Sequence, residues 1–265
     1  MKKIISCSYK DDTPAFHSEE FFNAYKNGRI CIPTKYGSMA VSLKDEDVAC
    51  IVFWTKNPSD HFLKNMPAIS APFYIQWTIT GYDRDIEPNV PDKDTIIQRF
   101  KKVADILGKE RVWWRYDPIL INDKYTVEYH KKRFAQMSAM LSGHTTRCVI
   151  SFLDEYKKIQ DRVEAGQMRA PALDEIMEMS ASFADSAKKA GMTVQTCSEG
   201  RYDLTKYGIH EAPCIDARFI ERYFATTLDE SVKRPGGFRQ CKCAANTDIG
   251  QYHRCRHDCS YCYAK

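Results

Sequence analysis

The chain has 265 residues, 43% of them hydrophobic, which is enough for one large domain with a substantial core. Its net charge of +4 arises from 39 basic and 35 acidic residues without long single-sign runs, so electrostatics do not argue for nucleic acid. The apolar stretch before Lys10-Asp11-Asp12 is too short for a signal peptide, and no run approaches the roughly 20 apolar residues of a membrane span.

These exclusions predict a cytoplasmic protein with no membrane partner. In that compartment 11 cysteines point to metal ligands or redox chemistry more than to disulfides.

Six short apolar, β-branched or aromatic runs recur along the chain: Lys3 to Ser8, Cys50 to Trp54, Tyr74 to Thr80, Val112 to Tyr116, Cys148 to Phe152 and Thr193 to Cys197. Helical segments lie between them. Ser18-Glu19-Glu20 opens a short helix that stops at Gly28, and Pro91-Asp92-Lys93-Asp94 opens one striped by Ile96, Ile97, Phe100, Val103, Ala104 and Leu107 before Gly108. Val127, Phe134, Met137 and Leu141 stripe the next, and Leu173, Ile176, Met177, Phe183 and Ala187 the one after. Such stripes read as core packing. Strands alternating with helices imply a parallel sheet with right-handed crossovers, either open or curled into a barrel, with its chemistry at the carboxyl ends of the strands.

Those ends carry the unusual residues: Trp54-Thr55-Lys56, Thr78-Ile79-Thr80, Arg115-Tyr116-Asp117-Pro118 and Cys197-Ser198-Glu199. Lys56, Arg115 and Glu199 are the candidate catalytic residues, and an Arg at a strand end can hold a carboxylate bidentately. With 12 glycines and no Gly-rich phosphate loop, a dinucleotide or nucleoside triphosphate site is not expected.

The last stretch, Arg239 to Lys265, holds five of the cysteines. Cys255, Cys259 and Cys262 are spaced C-x3-C-x2-C. Three thiolates on so short a loop can converge on one iron-sulfur cluster and leave one iron open. The pair Cys241-Lys242-Cys243 would close that iron if it joined the same site. With Cys197 and Cys214 it makes a second four-thiolate set, for another [4Fe-4S] cluster or for zinc.

The tail, with Tyr261 and Tyr263 flanking its last cysteine, resembles the cluster signature of radical S-adenosylmethionine (SAM) enzymes. Gln76 to Thr80, Glu87-Pro88-Asn89-Val90-Pro91 and Arg115-Tyr116-Asp117-Pro118-Ile119 resemble strand regions of the spore-photoproduct-lyase-like branch of that superfamily, and Trp54-Thr55-Lys56 resembles its preceding strand end. As a whole the chain is similar to a bacterial family of unknown function, through Ile5-Ser6-Cys7-Ser8, Asp12 to Phe16, Phe53 to Pro58 and the C-terminal cysteines. In ordinary radical SAM proteins the cysteine loop follows the first barrel strand; here it comes last, as in a circular permutation.

The resemblance implies a partial (βα)6 TIM-type barrel over residues 1–200, with a cysteine-rich segment, residues 201–265, closing its mouth within one integrated domain. It implies that the cluster at Cys255, Cys259 and Cys262 chelates SAM and, once reduced, cleaves it to a radical that abstracts hydrogen from a small-molecule or peptide substrate. Thr78, Thr80, Arg115 and Glu199 are the expected contacts to SAM or substrate, and a ferredoxin or flavodoxin the expected reductant. Two other readings remain open: a zinc-bearing nucleic-acid module, with His253 and His257 as added ligands, and an electron-transfer protein without SAM.

Overall fold

The computed structural model describes residues 2–34, 36–228 and 241–264; Arg239, Gln240 and Lys265, which flank the cysteine stretch, lie outside them. All six expected strands form: β1 (Lys3–Cys7), β4 (Val48–Thr55), β5 (Phe73–Thr78), β6 (Val112–Ile119), β7 (Arg147–Phe152) and β8 (Thr193–Thr196). With two short strands, β9 (His210–Glu211) and β10 (Thr247–Asp248), they make an eight-stranded sheet in the order β10-β1-β4-β5-β6-β7-β8-β9. The pairings of β1 with β10 and β4, of β6 with β7, of β7 with β8 and of β8 with β9 are all parallel. A separate antiparallel hairpin, β2 (Arg29–Thr34) and β3 (Gly37–Ser42), has no counterpart in the sequence reading.

By contacts the chain divides into two interleaved units, one of residues 1–76, 213–256 and 264–265 and the other of residues 77–212 and 257–263. In the first, the short helix α1 (Thr13–Phe16) is capped by the Asp12 carboxylate, and α2 (Ser18–Lys26) and α3 (Asp60–Asn65) follow, the latter capped by Ser59. Phe53 of β4 gathers the core, edge-on to Phe21 of α2 at 5.2 Å, to Phe62 of α3 at 5.0 Å and to Phe73 at 5.6 Å. A last helix, α8 (Ala217–Phe224), is capped by Asp216.

In the second unit the helices are α4 (Lys93–Leu107), α5 (Val127–Leu141), the short α6 (Gln160–Glu164) and α7 (Leu173–Lys189). α4 starts as its sequence announces: Asp92 accepts from the Thr95 amide at 2.8 Å, and Ile96, Ile97, Phe100, Val103 and Ala104 are buried. Trp114 of β6 stacks on Phe134 of α5 at 4.8 Å, and Phe134 stacks on Phe183 of α7 at 4.1 Å. Tyr116 meets the same helices. Side chains alternate along a strand, so Trp113, Arg115 and Asp117 face the opposite side of β6 from the helices. That face is where a cluster of charges assembles.

Candidate metal and strand-end site

Two carboxylates, neither singled out by spacing, anchor the cysteine tail. The first is Glu87, 1% exposed, in the turn after β5. It accepts from Thr80 Oγ1 at 2.8 Å, from the Tyr261 hydroxyl and from the Lys93 ammonium. The Ser260 amide adds a 2.8 Å bond to the Ile86 carbonyl, and the Asn89 amide a 3.3 Å bond to the His257 carbonyl. Tyr261, which separates Cys259 from Cys262, is thereby buried with its ring 5.8 Å from that of Tyr82. A charge-assisted network of this kind is strong because an orphaned buried carboxylate is costly.

The second anchor is Asp248 of β10, which pairs in register with Ser6. It accepts from Ser6 Oγ at 2.7 Å, Ser8 Oγ at 2.9 Å and the amides of Tyr9 and Gly250 at 3.1 Å. Asp11 accepts from the Gln251 amide at 2.9 Å. Gly250 must be glycine: a Cβ there would stand 1.8 Å from Ser8 Oγ. The Ser6-Cys7-Ser8 and Asp11-Asp12 opening therefore seats the tail. Cys7 itself is fully buried, its thiol pushed up by burial and then by the Asp11, Asp248 and Asp12 carboxylates, so it is not a ready thiolate.

Among the described residues, which include all 11 cysteines, none is in a disulfide. Cys259 is buried, and Cys255 and Cys262 are half-buried. The Sγ atoms of Cys197, Cys214 and Cys243 lie within 4.8 Å of one another. The Ile215 amide points at Cys243 Sγ from 3.4 Å, and Tyr74 and Gln76 donate to the Cys214 carbonyl at 2.6 and 2.7 Å. Cys241, the fourth member expected from sequence, is half-buried and outside this compact group. Ser198, next to Cys197, and Asp258, next to Cys259, hold φ of 59° and 58°, left-handed values that side chains adopt at a cost.

The remaining expected site residues fall as follows. Lys56 directly follows β4, and its amide donates to Asp12 at 2.7 Å. Thr78 ends β5 half-buried, while the Thr80 hydroxyl is engaged by Glu87. Arg115 is not past its strand but within it, because β6 runs on to Ile119; it is 7% exposed and pairs with Asp117. Ser151 donates to Asp117 at 3.3 Å. Glu199 is 3% exposed and accepts from the Phe152 amide at 2.9 Å, while its Oε2 is buried and has no hydrogen-bond partner. Burial, aided by Asp154 and Asp117 and opposed by the Phe152 amide and Arg201, pushes its carboxyl up to about 7.

Sequence reasoning missed Glu87, Asp248 and Asp117. The Glu-Pro-x-x-Pro turn was visible, but nothing in it announced that the carboxylate would bind Tyr261, 174 residues on.

The described residues make a mixed α/β protein with a mostly parallel sheet. The chain matches the domain of unknown function DUF1848 over residues 4–264 and belongs to that family. No curated protein matches it. Among the described residues no helix is long and apolar enough to cross a membrane.

Proposed function

We propose that the protein is an iron-sulfur enzyme of radical-SAM type on a permuted partial barrel, with Cys255, Cys259 and Cys262 as the ligands of a [4Fe-4S] cluster. The observation that carries this is how the loop is held. Its non-cysteine handles, Tyr261, the Ser260 amide and the His257 carbonyl, are bound to the turn after β5, whereas its thiols form no disulfide. A loop fixed by its other residues does not depend on its thiols to hold it in place, which suits those thiols to ligate metal. The order β1-β4-β5-β6-β7-β8 runs one way along the sheet, as it would in a singly wound barrel, and this supports the barrel reading.

Cys255, Cys259 and Cys262 would hold the cluster, which, reduced and with SAM bound, would supply radical chemistry. The chain's own part is positioning. Glu87 and Lys93 fix Tyr261 between two ligands, and Thr80 orients Glu87. Arg115, Lys56, Thr78 and Glu199 are the candidate contacts to SAM or substrate, and a small electron carrier such as a ferredoxin or flavodoxin would bring the electron.

A second metal site is proposed at Cys197, Cys214 and Cys243. Around one tetrahedral ion with metal–sulfur bonds of about 2.3 Å, thiolate sulfurs sit about 3.8 Å apart, whereas four thiolates radiating from a cubane are more widely spread. The 4.8 Å limit on this group favours a single zinc-like ion. Anaerobic reconstitution with iron and sulfide tests both sites. It is expected to give broad visible absorption that Cys259→Ala removes, while zinc stays bound to that variant. A colourless reconstituted protein would sink the cluster, and zinc lost with Cys259→Ala would sink two independent sites.

A further inference from the structure

We propose that Asp117, near the end of β6, and Asp154 and Glu199, beyond β7 and β8, receive the ammonium group of an amine-bearing substrate, with Glu199 Oε2 as its direct acceptor. This deepens the reading above and rests on it only in calling the ligand a substrate.

The first observation is an unused acceptor. Glu199 Oε1 is held by the Phe152 amide, but Oε2, equally buried, makes no hydrogen bond. A buried carboxylate oxygen that makes no hydrogen bond and has only a half-exposed guanidinium at 3.5 Å is under-satisfied, and marks a place a ligand can fill.

The second is the balance of charge. Arg115 is committed to Asp117, which also accepts from Ser151. Arg201, half-exposed, stands 3.4 Å from Asp154 and 3.5 Å from Glu199 Oε2. It offsets charge from the solvent side without bonding that oxygen. Three carboxylates face two guanidiniums in this group, so it suits a cation rather than an anion.

The third is the form of the surroundings. Among the described residues these three carboxylates are not a group whose oxygens converge to within 4.8 Å, as ligands of a bare metal ion would. An ammonium carries three donors on one small centre, so it can bond Glu199 Oε2 directly while Asp117 and Asp154 act on it through their charge. The Tyr156 ring, 43% exposed with its hydroxyl on Asp154 at 3.2 Å, lies 5.4 Å from the ring of Tyr263, the neighbour of Cys262. Aromatic faces beside carboxylates suit an organic cation.

Calorimetric titration of the full-length protein with propylammonium, with propionate and magnesium as comparison ligands, tests the proposal. Propylammonium is expected to bind and propionate not. Glu199→Gln, which keeps the side-chain shape, should weaken binding about tenfold or more with unchanged melting. Arg201→Gln removes a competing cation and should tighten it, an effect a purely structural role would not produce. Absence of propylammonium binding, wild-type affinity in Glu199→Gln, weaker binding in Arg201→Gln, or displacement of propylammonium by magnesium would each overturn it. In Cys259→Ala the amine should still bind. Retained amine binding in a wild-type protein that fails to cleave SAM would defeat the radical reading and leave this one standing.

Discussion

Single side chains decide whether the tail stays docked. Glu87 satisfies Thr80, Lys93 and Tyr261 at once, so Glu87→Gln removes the negative charge at the centre of this buried network and should cost about 3 kcal/mol. Tyr261→Phe removes one charge-assisted bond and should cost about 1.5–3 kcal/mol. Denaturant melts measure both losses. Hydrogen exchange at the Ser260 amide should accelerate before global unfolding if the loop releases first.

His130 gives a separate pH signature. Nε2–H donates to the Leu120 carbonyl at 2.8 Å and Nδ1 accepts from the Tyr116 hydroxyl at 2.9 Å, an arrangement that needs the neutral ring. Burial pushes its pKa from 6.5 down to about 4. Between those values the unfolded chain binds the extra proton. The His130 contribution to stability is therefore complete above about 6.5 and declines as pH falls towards about 4. Glu199, raised to about 7, shifts stability the opposite way over the same window, so melts of Glu199→Gln should show the decline, and a flat profile in that variant would contradict the assignment.

At the scale of elements, periodicity was a reliable guide where burial is one-sided. The stripe of α4, its Asp92 cap and the Trp114–Tyr116 face against α5 and α7 follow directly from spacing. The β2–β3 hairpin escaped notice because its strands are mostly exposed and so carry little apolar alternation. β10 escaped because two residues cannot show a period: it exists through Asp248 and its hydroxyl partners. The same shortness makes it vulnerable. Gly250→Ala places a methyl where Ser8 already stands, so it should undock β10 and expose the following residues to limited proteolysis, with the β6–β8 core still folded. Unchanged proteolysis would show that the opening and the tail do not depend on each other.

For the molecule as a whole, the α/β class was legible because strand runs are local patterns, and the thiol spacing on which the proposed cluster rests is local in the same way. The second thiol group was legible only in part: Cys197, Cys214 and Cys243 come together, while Cys241, two residues from Cys243, does not. Spacing limits which cysteines can meet but does not choose among them. The strand-end charges were visible as candidates, yet Asp117 and the roles of Thr80 and Glu87 depend on contacts with distant segments that no window of sequence contains.

Electron paramagnetic resonance of the anaerobically reconstituted, reduced protein, recorded with and without SAM, tests the central claim most directly. The account predicts a [4Fe-4S] signal that shifts when SAM is added and disappears in Cys259→Ala. A cluster signal indifferent to SAM, or no iron-sulfur signal in the wild-type protein, would contradict it.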